Sequence, residues 1–64
     1  MKRRDLLRHL QAHGCHLDRE GAKHSLWLNP ATGAVESVPR HVEIGKYLSW
    51  KICRQLAVPE HRGA

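Results

Sequence analysis

Four ionisable side chains stand where a small domain could use them: Lys23 and His24 just past Gly21, and Arg40 and His41 just past Pro39. Imidazole titrates near neutrality, so a histidine exchanges protons at working pH, while lysine and arginine bring positive charge to an anion. In the stretch Arg19-Glu20-Gly21-Ala22-Lys23-His24-Ser25-Leu26-Trp27-Leu28, a glycine turn runs directly into an extended segment. Gly21 can adopt positive φ without steric cost, which suits a tight reversal between two strands. That reversal places Lys23 and His24 at the open end of a sheet. There His24 meets solvent while the strand behind it fixes its backbone. His24 is read as a proton acceptor and Lys23 as the cation beside it; the plainer reading of both is a solvated turn.

The elements that must position these residues belong to a chain of 64 residues, enough for one small domain with one thin core. A single domain over 1–64 is expected, with an ordered core from about 2 to 59 and a frayed tail at 60–64. A deep cleft between domains does not fit that size, so any site is shallow and takes a large, mostly exposed ligand. Eleven Lys and Arg against six Asp and Glu give a formal charge of +5 and a pI near 9.9. This balance favours a polyanion or an acidic protein as partner. Met1-Lys2-Arg3-Arg4 is followed by Asp5 and by no long apolar run, so neither a signal peptide nor a membrane span is read. A cytoplasmic location follows as the expectation, with Cys15 and Cys53 as reduced, partly buried thiols.

Leu6, Leu7 and Leu10 share one face of a helix from about Arg3 to His13, which Gly14 ends. Cys15 to Arg19 reads as a first strand and His24 to Leu28 as a second, with His24, Leu26 and Leu28 on one face and Ser25 and Trp27 on the other. Asn29-Pro30-Ala31-Thr32-Gly33 is a hairpin turn, its glycine supplying the left-handed position, and Ala34 to Val38 is the third strand. A second helix from about Val42 to Ala57 carries the stripe Ile44, Leu48, Ile52 and Leu56, with Gly45 weakening its first turn. Two helices on one face of a three-stranded antiparallel sheet then bury Leu6, Leu10, Leu26, Leu28, Ile44, Leu48 and Ile52. This α+β order, α-β-β-β-α, is the layout of the double-stranded RNA-binding domain, which reads shape and phosphate rather than base sequence.

Gly21-Ala22-Lys23-His24, the Asn29-Pro30-Ala31-Thr32-Gly33 hairpin and Val38-Pro39-Arg40-His41 ahead of a helix together resemble the HicA family of toxins. The resemblance runs on through Lys51-Ile52-Cys53 and covers about Lys2 to Pro59. It implies an mRNA interferase with a double-stranded-RNA-binding-like fold, no cofactor, and a HicB antitoxin as partner. The family's active-site histidine follows a glycine and a small or basic residue, and His24 occupies that position. Ala22 stands where many relatives have glycine, and Gly45-Lys46 replaces a more helix-favouring pair. The chemistry is consistent with the residues themselves. RNA carries its own nucleophile in the 2′-hydroxyl, so a cleaving protein needs a positioned base and charge stabilisation rather than a serine, cysteine or metal. Lys23 and Arg40 are candidates for stabilising the phosphorane, and His41 or water for protonating the leaving oxygen.

The remaining candidates are less specific. Arg4 and Arg8, with Arg3, could follow an RNA backbone or simply be a solvated helix face. Tyr47, Trp50 and Arg54 fall on the polar face of the second helix, where aromatic and arginine anchors favour antitoxin contact over base stacking; Trp27 is a further interface candidate. His9 and His13 lie four apart with Cys15 and His16 behind them, but nothing completes a set of four ligands, so no metal site is read. The alternative to a nuclease is a non-catalytic RNA-binding module with the same basic surface, His24 serving as a phosphate contact.

Overall fold

The computed structural model of the chain describes residues 1–60. The first helix, α1, spans Arg3–Ala12 and buries Leu6 and Leu10, one turn apart, so that its apolar stripe meets the sheet. Strands β1 (His16–Glu20), β2 (His24–Asn29) and β3 (Ala34–Pro39) form an antiparallel sheet in the order β1-β2-β3, and α2 spans Lys46–Gln55. The α-β-β-β-α order is therefore the one read from the sequence. Each strand is shifted or extended by a residue relative to that reading. One buried cluster joins Leu6 and Leu10 of α1, Trp27 of β2, Val38 of β3, and Ile52 and Cys53 of α2, so both helices cover the same face of the sheet. No helix among the described residues is long and apolar enough to cross a membrane.

The parity of β2 is the reverse of the one expected. Ser25, Trp27 and Asn29 point into the core, while Leu26 and Leu28 are half-buried on the open face with exposed His24. Two of the three inward residues are polar, and each is tolerated because its side chain is hydrogen-bonded. Trp27 is only 4% exposed, so it is a core residue and does not serve as a surface for a partner.

The second helix begins four residues later than its pattern suggests. Residues 42–45 are drawn into extended pairing with the chain start: Arg3 N–H donates to the Val42 carbonyl (2.8 Å), Ile44 N–H to the Met1 carbonyl (2.8 Å), and Lys2 bridges Glu43. Gly45 is consequently the N-cap and weakens no helical turn. Ile44, Ile52 and Leu56 are buried as expected, whereas Leu48 lies exposed at a surface hollow.

Both helices end in the same backbone motif. Gly14 N–H bonds the Gln11 carbonyl and Cys15 N–H the Leu10 carbonyl; in α2, Ala57 N–H bonds Arg54 and Val58 N–H bonds Cys53. The left-handed residue is Gly14 in one (φ +88°) and Ala57 in the other (φ +57°), where a Cβ costs about 1–2 kcal/mol. Cys15 and Val58, the residues that follow, are both buried, and burial pushes the Cys15 thiol pKa up.

Candidate functional site

His24 opens β2 immediately after the β1–β2 turn. Gly21 N–H donates to the His24 carbonyl at 2.7 Å and closes that turn. Gly21 does not take positive φ, contrary to expectation; its part is close approach, since a Cβ there would stand 3.1 Å from the His24 carbonyl oxygen, and the backbone would have to give by a few tenths of an ångström to admit one. The backbone is thus brought into close contact at the residue before Ala22-Lys23-His24.

Arg40 holds the rest of the turn from outside it. Its guanidinium donates to the Glu20 carboxylate (2.9 and 3.2 Å), to the carbonyls of Ala22 (3.1 Å) and His24 (3.1 Å), and to that of Gly21. Glu20 in turn accepts from the buried Ser25 hydroxyl at 2.6 Å, and Ser25 accepts from Arg3 at 2.9 Å. Arg3 also donates to the Pro39 carbonyl at 2.9 Å, next to Arg40. The Ser25 hydroxyl, and then the Arg40 guanidinium, hold the Glu20 carboxyl below the usual carboxylate range. Helix α1, the end of β1, the start of β2 and the β3–α2 connector are therefore tied together around the backbone of His24. Sequence reasoning offered Arg40 as a cation for a phosphate; the structure gives most of its donors to the turn. Glu20 and Ser25 carry no pattern until the fold brings them together, and Arg3, read as a cation for an RNA backbone, instead bonds Ser25 and the Pro39 carbonyl.

His24 is among the residues that line a shallow hollow with Glu36, Ser37 and Pro39 of β3, His41, and Leu48, Lys51 and Ile52 of α2. His24 and His41, which spacing alone could not relate, thus share one surface. Lys51 is the cation of that hollow and was not singled out from the sequence, while Lys23 is exposed on the turn and does not line it. Glu36 is committed to its neighbour, its carboxylate accepting from Ser37 N–H at 2.9 Å. Arg4 and Arg8 are exposed on α1 and line no part of the His24 hollow.

A separate patch lies on α2. Tyr47 is 82% exposed and stacks edge-on against Trp50 at 5.7 Å, and Lys46 Nζ sits 4.8 Å above the Trp50 ring. Arg54 is exposed one turn further on. His9 donates through Nε2 to the Pro59 carbonyl at 2.5 Å. Among the described residues no group of three or more His, Cys, Asp or Glu could hold a metal ion.

The fold and the exposed His24 define a small basic α+β domain, α-β-β-β-α, whose candidate site is a shallow surface. The family model described as HicA toxin of bacterial toxin-antitoxin matches residues 3–58, and the chain belongs to that family. It is accordingly a toxin of the toxin–antitoxin kind. No curated protein and no solved structure matches it.

Proposed function

We propose that the chain is an mRNA-cleaving endoribonuclease that works in the cytoplasm, with His24 as general base, and that a HicB-like antitoxin silences it. The observation that carries this reading is an exposed His24 that shares one hollow with His41 and Lys51 while its carbonyl accepts from both Gly21 N–H and the Arg40 guanidinium. Neutral His24 takes the proton of a ribose 2′-hydroxyl, and the 2′-oxygen attacks the adjacent phosphorus. Lys51, with Lys23 on the exposed turn before His24, stabilises the charge that gathers on the phosphorane oxygens. The P–O5′ bond breaks and the leaving oxygen takes a proton from protonated His41, giving a 2′,3′-cyclic phosphate and a 5′-hydroxyl. The nucleophile belongs to the substrate, so the scheme calls for no cofactor.

Arg40 serves this reaction chiefly by fixing the turn, and Arg4 and Arg8 add positive potential for the strand. Tyr47, Trp50 and Arg54 form the surface best suited to the antitoxin, since large aromatic and arginine side chains anchor protein interfaces. Replacing His24 with alanine tests the reading. The variant should bind single-stranded RNA as the wild type does and cleave it about 10²- to 10⁴-fold more slowly. Equal cleavage by both proteins removes His24 from catalysis. Binding without cleavage by the wild type leaves a non-catalytic RNA-binding module.

A further inference from the structure

A second hollow lies on the other side of the Pro39-Arg40-His41 connector. It is lined by Lys2, Arg3, Arg4 and Arg40, with Leu7 and Val42 as its apolar part, and no acidic residue lines it. We propose that this hollow binds the nucleotide of a single-stranded RNA next to the one that is cut, its base lying on Leu7 and Val42 and its phosphate on Arg4 and Lys2. The inference rests on the RNA reading above and extends it to a subsite.

The walls and the floor are already fixed. Arg3 and Arg40 are held by Ser25, Pro39 and the β1–β2 turn, so their charge is set in place before any ligand arrives. The floor is held by the bond from Arg3 N–H to the Val42 carbonyl and by the Lys2–Glu43 bridge. Val42 is nevertheless 73% exposed, an aliphatic residue left outside the core although Ile44, two residues on, is buried. The Arg4 side chain makes no hydrogen bond or ion pair among the described residues, and Lys2 Nζ reaches the exposed Glu43 carboxylate at 3.6 Å. Two cations are therefore available beside an apolar floor. A bare phosphate would leave that floor uncovered, whereas a nucleotide uses both.

Continuity with the His24 hollow identifies which nucleotide. Arg40 lines the basic hollow and His41 the His24 hollow, so the two are separated by a single step of the backbone, about 3.8 Å between Cα atoms. A strand that crosses the connector places one phosphate at His24 and the neighbouring nucleotide over Val42.

The test is equilibrium binding of a fluorescently labelled single-stranded RNA to His24→Ala protein, which should leave the strand intact, across about 50–200 mM salt. Adding Arg4→Ala should weaken binding and lower the slope of log K against log salt by about 0.7, the share of one contact to a single strand. Adding Val42→Glu at this exposed position should weaken binding about tenfold through like-charge repulsion with the phosphates. An abasic nucleotide at the neighbouring position should weaken binding to the parent protein. Arg19→Ala, on β1 and outside both hollows, should leave affinity unchanged. Thermal melting checks that each variant is folded. Parent-like affinity and slope for Arg4→Ala and Val42→Glu, with weakened binding by Lys51→Ala, overturns the subsite and leaves the nuclease reading standing. Loss of antitoxin binding without loss of RNA binding makes the hollow a protein contact and also overturns it. Absence of both RNA binding and cleavage in the wild type removes the subsite and the reading beneath it.

Discussion

The two hairpin turns of this sheet are held in opposite ways. The β2–β3 turn supports itself: Asn29 accepts from Ala31 N–H through its side chain (3.0 Å) and from Gly33 N–H through its carbonyl (2.8 Å), and Thr32 accepts from Ala34 N–H (3.1 Å). Its bond beyond the hairpin runs from Asn29 Nδ2 to the Leu56 carbonyl at 2.6 Å. The β1–β2 turn has one backbone bond of its own and the Ser25–Glu20 side-chain bond at its base, and its Gly21, Ala22 and His24 carbonyls are held by Arg40, a residue from beyond β3. A turn that needs only local residues serves stability. A turn whose shape is set by distant residues can be precise at its tip without filling that tip with its own side chains, and this is where His24 stands.

Removing Arg40 breaks the comparison most sharply. Arg40→Ala should lower the rate of RNA cleavage about 100-fold, the cost of displacing a reacting group by roughly an ångström. Arg40→Lys should recover little of it, because a point charge cannot serve several carbonyls and a carboxylate at once. Single-turnover cleavage and thermal melting on the same samples would separate lost positioning from lost fold. Asn29→Ala should do the converse, destabilising the protein by about 1–3 kcal/mol with cleavage per folded molecule unchanged. Denaturant titration paired with an activity assay checks both halves.

Ala57→Gly, beside the Leu56 carbonyl that Asn29 reaches, should stabilise the protein by about 1 kcal/mol by removing a Cβ from a left-handed position. A raised melting temperature with unaltered cleavage is the expected outcome. The smallest effect concerns Glu20. Its carboxyl is held below the ordinary range in the folded chain, so its contribution is complete above the unfolded carboxylate value of about 4.3 and is lost as pH falls through the folded one. Glu20→Gln should flatten that acid limb and leave the neutral limb in place, which melting temperature against pH would show.

How far the sequence could be read follows the same division. Asn29-Pro30-Ala31-Thr32-Gly33 announces its turn because every group that stabilises it lies within the segment, and Gly33 takes the expected left-handed φ of +79°. The position of His24 at the start of β2 was legible for a related reason, since a glycine turn meets a strand there. What could not be read were features decided by distant contacts. Period-two alternation in β2 divides its residues into two sets without saying which faces inward. Ser25 and Asn29 go inside because Arg3, Glu20 and Leu56 are there to bond them. The late start of α2 has the same origin, since residues 42–44 pair with the first three residues of the chain rather than with the next helical turn. Lys51 and His41 join His24 only once α2 has been laid along β3.

The central claim is that the scissile ribose supplies the nucleophile and His24 removes its proton. It is tested most directly on an RNA whose cut position has been mapped, compared with the same strand carrying a single 2′-deoxyribose at that nucleotide. The account predicts that the all-ribose strand gives a 2′,3′-cyclic phosphate and a 5′-hydroxyl while the substituted strand stays whole. Cutting of the substituted strand at the same bond, or a 5′-phosphate on the downstream product, would contradict it.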